Sequence, residues 1–200
     1  MSFRLYSFIF LLNISLGFGQ IKQGTLNVTG YPNFKQTLNE VVTEPGVDDN
    51  LGVETNMNTS MLSFTLDESS GTILGGGIVS SLVNCSNHIF RYKVFMHRSS
   101  HPEYDNMVVM ARVTGEGARF PSSIPYDNLP GGILGPRNLT PANNGQYIAI
   151  PDSPFRATKI MEFIGCWRDI PIQYKILPSA KSPVNPPDFE IFFTVVGSVL

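Results

Sequence analysis

Charged side chains are scarce in this sequence. They make up 15% of the 200 residues, whereas soluble domains carry about 25%. The net charge of −2 argues against nucleic acid as a partner. Hydrophobic residues still reach 42%, which is enough to offset chain entropy and excludes a disordered tail.

Recognised catalytic signatures are also missing. The sequence has no Gly-x-Ser-x-Gly elbow, and none of its histidines lies in a known triad signature. Gly75-Gly76-Gly77 lacks the Lys-Ser/Thr sequel of a phosphate-binding loop. We therefore expect a protein that is not an enzyme and that carries no cofactor.

The sequence offers only a weak pattern of candidate metal ligands. His97 and His101 stand four residues apart with Glu103 beyond, and this spacing places two imidazoles on one face only in a helix. Pro102 and the preceding serines argue against a helix there. A solvated loop is the simpler interpretation, so we expect no metal site.

Long apolar runs are absent except at the N-terminus. Arg4 supplies the charge of an n-region, Leu5–Leu16 form an apolar stretch, and Gly17-Phe18-Gly19 gives a small-x-small cleavage pattern. A membrane anchor is the alternative, but about 12 apolar residues fall short of the roughly 20 that span a bilayer. We expect residues 1–19 to be a signal peptide, which leaves a secreted mature protein that begins at Gln20 and has no membrane span.

Cysteine is limited to Cys85 and Cys166. In an exported chain, such a pair predicts a disulfide bond. Two free buried thiols are the alternative, since cysteine is often buried without pairing. A bridge that closes so long a loop would stabilise the fold by about 4 kcal/mol in the chain-entropy model.

Glycine and proline are abundant, with 18 and 15 residues, and they separate short runs that alternate with period two. Such runs are typical of half-buried strands. Phe34, Leu38, Val41 and Val42 instead follow helical spacing, which leaves open one short helix near residues 33–43. The alternating runs are Thr25–Tyr31, Ser60–Leu66, Phe90–Met96, Ile172–Ile176 and Phe189–Leu200. Met107–Thr114 is more continuously apolar, as in a central strand, and Ile148–Ile150 and Ala157–Trp167 are a short and a longer further strand candidate.

Nine or ten short strands at this spacing predict an all-β fold. We expect an immunoglobulin-like β-sandwich, with residues 20–200 in a single domain. In the first run, Leu26 and Val28 share one face, and Thr25, Asn27 and Thr29 share the other.

A long Gly/Pro-rich segment runs from Gly115 to Gly145 and predicts a functional loop. Three aromatic residues in or next to it, Phe120, Tyr126 and Tyr147, are candidates for a platform on which a sugar ring stacks. Core packing under the loop is the alternative use of these rings.

Four Asn-x-Ser/Thr sequons begin at Asn27, Asn58, Asn84 and Asn138. They are candidate glycosylation sites in a source that glycosylates. Asn84 is a poor acceptor if its neighbour Cys85 is bridged.

Acidic residues are unevenly distributed. Residues 36–90 contain seven acids and no Lys or Arg, whereas residues 91–200 hold eleven bases against nine acids. A solvated acidic surface explains this pattern, and a complementary contact between neighbouring copies is the sharper alternative.

The C-terminal region resembles one family. Ile176-Leu177-Pro178-Ser179, the Pro-rich stretch to Pro187 and the run from Asp188 to Val196 are similar to the last hairpin of pilin-type immunoglobulin-like domains, the subunits of bacterial surface fibres. The resemblance implies that the N-terminal segment of one subunit completes a sheet of its neighbour by strand addition. The matching segment here would be residues 20–29, with Leu26 and Val28 as the inserted side chains.

We therefore expect a non-enzymatic structural or adhesive subunit of an extracellular filament such as a pilus or fimbrium. It would associate with identical subunits through an N-terminal strand at residues 20–31, and a glycan or another surface ligand would be a further partner. The alternative function is a monomeric carbohydrate- or protein-binding β-sandwich module.

Overall fold

Two antiparallel β-sheets pack face to face in this protein, as the sequence predicted for an all-β sandwich. The computed structural model describes residues 21–32, 34, 52–70, 78–87, 90–100, 107–123, 138–177 and 189–198. The predicted signal peptide, residues 1–19, lies outside these residues.

The described residues form thirteen strands and one α-helix. Five of the strands have only two residues, which is too short for a period-two run, so the sequence predicted fewer. The elements are β1 (Gly24–Thr29), β2 (Val53–Glu54), β3 (Ser60–Leu66), β4 (Ser69–Ser70), β5 (Ile78–Val79), α1 (Ser81–Asn87), β6 (Arg91–Arg98), β7 (Val108–Val113), β8 (Ala118–Phe120), β9 (Thr140–Pro141), β10 (Ile148–Ala149), β11 (Thr158–Ile164), β12 (Cys166–Leu177) and β13 (Ile191–Ser198).

The larger sheet, sheet 1, runs in the order β1-β3-β12-β7-β10, and both β2 and β8 also pair with β12. The smaller sheet, sheet 2, runs β13-β6-β11-β9. Strands β4 and β5 form a separate two-stranded ribbon. The long strand β12 therefore lies at the centre of sheet 1.

The core follows the predicted alternation. In β3, Leu62, Phe64 and Leu66 are buried, while the residues between them are only half-buried. The ring of Phe64 contacts the rings of Tyr92 in β6 and Phe163 in β11, with centroids 4.5 and 5.7 Å apart. These contacts place β3 of sheet 1 across from the centre of sheet 2.

One predicted run is divided by a turn. The sequence indicated a single strand from Ala157 to Trp167, but Gly165 has a φ of 75° and separates β11 from β12. A positive φ suits glycine, which lacks a Cβ atom. The pairing of β12 with β3 is also irregular. Trp167 pairs with Phe64, but the next pair joins Ile170 to Leu62, so three steps along β12 match only two steps along β3.

Helix α1 has no counterpart among the sequence predictions, and the predicted helix near residues 33–43 falls outside the described residues apart from Phe34. The Gly115–Gly145 segment also differs from a plain loop, since it contains β8, β9 and the 3₁₀ turn Ala142–Gly145. Residues 124–137 of that segment lie outside the described part.

The predicted disulfide bond is confirmed. Cys85 in α1 is bonded to Cys166 at the start of β12, with their Cα atoms 5.5 Å apart at a sequence separation of 81. The backbone N–H of Leu66 also donates to the sulfur of Cys166 at 3.3 Å. The bond therefore fastens α1 to the end of β3 and to the central strand of sheet 1.

Removing this bond should lower stability markedly. We expect the double variant Cys85→Ala/Cys166→Ala to lose about 2–4 kcal/mol of unfolding free energy, because the unfolded chain gains the entropy of an open loop. Urea denaturation followed by Trp167 fluorescence measures the change. An unchanged midpoint and slope would contradict the stabilising role.

Candidate functional site

Among the described strands, β1 is one of the two edges of sheet 1, and it pairs along its whole length with β3 of the same chain. The register places Leu26 opposite Phe64 and Val28 opposite Leu62, so both side chains face sheet 2. This pairing within one chain is the arrangement that a neighbouring subunit would reproduce in strand exchange.

Side-chain packing holds β1 only weakly. Leu26 is half-buried, Val28 is 39% exposed, and the other residues of the strand are exposed. The ring of Phe64 fills the space beside Gly24, where a Cβ atom would collide with it. At Gly24, β1 thus covers a buried aromatic ring with backbone, and Leu26 is its one partly buried large side chain packed against the core.

A polar anchor fixes the beginning of β1. The side-chain nitrogen of Asn84 in α1 donates to the carbonyl of Asp67 at 2.6 Å, and its oxygen accepts a hydrogen bond from Lys22 Nζ at 3.5 Å. The hydroxyl of Thr25 donates to the Asp67 carboxylate at 2.7 Å. We call Lys22, Thr25, Asp67 and Asn84 the β1 anchor, since these four residues join the start of β1 to α1 and to the end of β3.

The edge strands β1 and β13 lie on the same side of the sandwich. The hydroxyl of Tyr92 in β6 donates to the carbonyl of Lys22 at 3.2 Å. The side chain of Ile21 fills the space beside Gly197 in β13. The residues just before β1 therefore cross from sheet 1 to the edge of sheet 2.

The predicted aromatic platform is dispersed in the structure. The guanidinium of Arg168 lies 3.4 Å from the centroid of Phe120 and covers its face. Phe120 is paired with Cys166, whereas Tyr147 contacts Arg112, which is paired with Gln173. Positions 166 and 173 are seven residues apart along β12, roughly 20 Å in an extended strand, so the two rings lie beside different parts of that strand. Tyr126 lies outside the described residues.

Tyr147 belongs to a polar cluster on the outer face of sheet 1. Arg112 lies 4.6 Å and Lys175 Nζ 5.7 Å from the ring centroid. Lys175 also forms an ion pair with Glu54 at 3.4 Å. Burial, reinforced by the negative charge of Glu54, raises the pKa of the Tyr147 hydroxyl to about 12.

Hydrogen bonds within this cluster occupy its main donors. Arg112 donates to Gln173 Oε1 from Nε at 2.9 Å and from Nη2 at 2.7 Å. Gln173 in turn donates to the carbonyl of Thr55 at 2.7 Å. Gln173 and Lys175 lie on the polar side of the predicted Ile172–Ile176 run, and no local pattern linked them to Tyr147. The cluster forms only when β2, β7, β12 and the residue before β10 become neighbours in the fold.

The four sequons occupy different environments. Asn27, Asn58 and Asn138 are exposed, whereas Asn84 is 2% exposed. The Asn84 nitrogen, to which a glycan would be linked, donates to the carbonyl of Asp67. The folded protein therefore has room for a glycan at three of these positions and none at Asn84.

The candidate histidine pair is only partly described. His97 stacks on Phe192 with centroids 4.9 Å apart, and His101 and Glu103 lie outside the described residues. Within the part of the chain that the structure describes, no three His, Cys, Asp or Glu side chains cluster as metal ligands do. No helix of that part is both long and apolar enough to cross a bilayer.

No protein-family model matches this chain, and no curated protein or solved structure matches it. The geometry of the edge strands and of the Tyr147 cluster must therefore carry the functional argument.

Loss of the Asn84 amide should loosen β1. In the variant Asn84→Ala, the carbonyl of Asp67 loses its buried donor, so we expect a loss of about 1–3 kcal/mol in stability. The substitution should also accelerate amide hydrogen exchange more in β1 than in β3. Asn87→Ala, an exposed asparagine of the same helix, is the matched control, and equal effects of the two variants would contradict the anchor.

Proposed function

We propose that this protein is a secreted, non-enzymatic structural or adhesive subunit of an extracellular filament and that it assembles by strand addition. The observation that carries the proposal is β1, an edge strand near the start of the expected mature chain that covers Phe64 yet buries little side-chain area of its own. In this proposal the sandwich is of the immunoglobulin-like, pilin type.

The energetics favour exchange. The backbone hydrogen bonds between β1 and β3 are the same whether the two strands belong to one chain or to two. Leu26 and Val28 would meet Phe64 and Leu62 of a neighbour in the register that they have within one chain. The neighbour therefore restores most of the contacts that β1 loses when it leaves its own sheet.

The connection to the next strand is long enough for such an exchange. Residues 30–52 separate β1 from β2, the next described strand, and a chain of that length reaches up to about 75 Å when fully extended. A β1 strand could therefore leave its own sheet and reach the β3 edge of an adjacent subunit while the rest of the sandwich stays folded.

The location in this proposal is the extracellular space or the cell surface. A long-range disulfide bond is typical of proteins that fold in an oxidising compartment. The N-terminal apolar stretch of the sequence supports export, and cleavage after Gly19 would leave β1 close to a new chain end, from which it could reach a neighbour once the β1 anchor is released.

A cysteine-mixing experiment tests exchange directly. Asn27 in β1 is directly opposite Ser63 in β3, and both point to the outer face. Opposed residues of an antiparallel pair have Cα atoms about 4.5–5.5 Å apart, which suits a disulfide bond. We co-express one chain carrying Asn27→Cys with another carrying Ser63→Cys and expect a mixed disulfide between the two chains.

The control pairs Asn27→Cys with Arg156→Cys, an exposed position in the turn Pro154–Arg156. Non-reducing electrophoresis and mass spectrometry of the cross-linked peptides identify the bond. Monomers alone, or cross-links as frequent at position 156 as at position 63, would rule out strand exchange as the mode of assembly.

The second candidate function is a monomeric carbohydrate- or protein-binding module. The observation that favours it is the outer-face cluster around Tyr147, where an aromatic ring, two cations and a carboxylate are neighbours. In this alternative, the half-buried ring of Tyr147 and the exposed carboxylate of Glu54 would contact a sugar.

A glycan array distinguishes this second candidate. A binding module should lose at least tenfold in affinity on Tyr147→Ala but keep it on Phe155→Ala, a control at a ring that is 97% exposed. The filament proposal expects no ligand whose retention depends on Tyr147.

A further inference from the structure

Among the described residues, β13 is an edge strand, and its own sequence lacks the usual protection. Natural sheet edges are blunted by charges, proline, bulges or short length. The opposite edge of sheet 2, β9, has two residues and includes Pro141. In contrast, β13 has eight residues, Ile191–Ser198, and contains neither a charge nor a proline.

The free side of β13 can be identified from its hydrogen bonds. The backbone N–H of Ser99 donates to the carbonyl of Glu190 at 2.8 Å, so the polar backbone groups of even-numbered residues point toward β6. Because these groups alternate along an antiparallel strand, those of Ile191, Phe193, Val195 and Gly197 point away from β6. No described strand pairs with β13 on that side.

The side chains of β13 are complementary to a second copy of the same strand. In an antiparallel pair centred on Thr194, that residue is opposite its own counterpart, and Phe192 is opposite Val196 of the second copy. Threonine pairs and aromatic pairs with β-branched residues are both favourable across strands. On the inner side, Phe193 is opposite Val195 of the second copy, and no like charges meet.

The outer-face residues of this pairing are accessible. Phe192 is 40% and Val196 46% exposed, and Thr194 between them is also exposed. Pairing would bury Phe192 of each copy against Val196 of the other. The contact therefore forms twice, since a two-fold axis repeats every contact.

We propose that β13 is a second self-association surface, at which two copies join their smaller sheets into one continuous eight-stranded sheet. This pairing is isologous, so it closes after two copies and does not extend by itself. It involves neither β1 nor the β1 anchor. Where the proposed strand exchange also operates, exchange lengthens a filament and β13 pairing joins two such filaments side by side.

The interface is small, so the isolated dimer should be weak. A single strand pair buries less than the roughly 1,200 Å² of a standard stable interface. We expect dimers that dissociate on dilution, and sedimentation velocity over a wide range of protein concentrations is the suitable measurement.

A charge at the centre of the pair should abolish the dimer. Thr194→Lys places two like charges directly opposite each other in the dimer, while the exposed position lets the monomer fold. We expect the dissociation constant to rise at least tenfold. Thr140→Lys, an exposed threonine in β9, is the matched control in an unglycosylated preparation and should leave dimerisation unchanged.

Cysteine substitutions test the register independently. Thr194→Cys should form a homodimeric disulfide rapidly, because the two Cα atoms are about 4.5 Å apart at a position that is not hydrogen-bonded across the dimer. Val196→Cys should cross-link at least tenfold more slowly, since its own counterpart is four residues away in this register.

These results separate the two interfaces. If Thr194→Lys blocks the dimer while the Asn27–Ser63 cross-link persists, β13 pairing and strand exchange are independent, as proposed. A wild-type protein that is monomeric at millimolar concentration, or equal cross-linking at positions 194 and 196, overturns the β13 proposal without affecting the test of strand exchange.

Discussion

The contact of the Phe64 ring with Tyr92 and Phe163 is the interaction on which the arrangement of the sandwich depends. It sets β3 over β6 and β11, and the order of strands in each sheet then determines which strands lie at the edges of the sandwich. Because β1 follows β3 outward and β13 follows β6 outward, both long edge strands fall on one side. The opposite side ends in the two-residue strands β9 and β10.

This asymmetry separates two kinds of sheet edge among the described strands. On one side, β9 and β10 are too short to serve as templates, and Pro141 removes a backbone donor. On the other side lie the longer strands β1 and β13. Our two proposals use these strands differently: β1 would leave its sheet and be replaced by an equivalent strand, whereas β13 would keep its place and accept an additional strand.

Local sequence patterns predicted those features of the fold that depend on one strand at a time. The inward faces of β3 and of β6 followed from alternation, because burial on one face of a sheet imposes a period of two. Alternation could not show that β13 is an edge, since that depends on which strands become its neighbours. Helix α1 was missed for a related reason: its seven residues lack an apolar period, and Asn84 and Cys85 hold it through contacts with Asp67 and Cys166.

The Tyr147 cluster illustrates the same limit at the level of a site. Its ring was noted as an aromatic next to a Gly/Pro-rich region, but Glu54, Arg112 and Lys175 come from three separate strands, β2, β7 and β12. Only the assembled sheet brings these charges to the ring. The positive φ of Gly165 likewise ended a run that looked continuous, because apolar residues stand on both sides of the turn.

The burial of Asn84 has a consequence for how the chain matures. Its amide lies next to the disulfide-bonded Cys85, inside the contact between α1 and β3. An oligosaccharide added to the unfolded chain at this sequon would have to be accommodated where the folded domain has no space. In a glycosylating secretory pathway, sugar transfer at Asn84 and closure of the disulfide bond would therefore compete, and only chains in which the helix docks first would reach the native state.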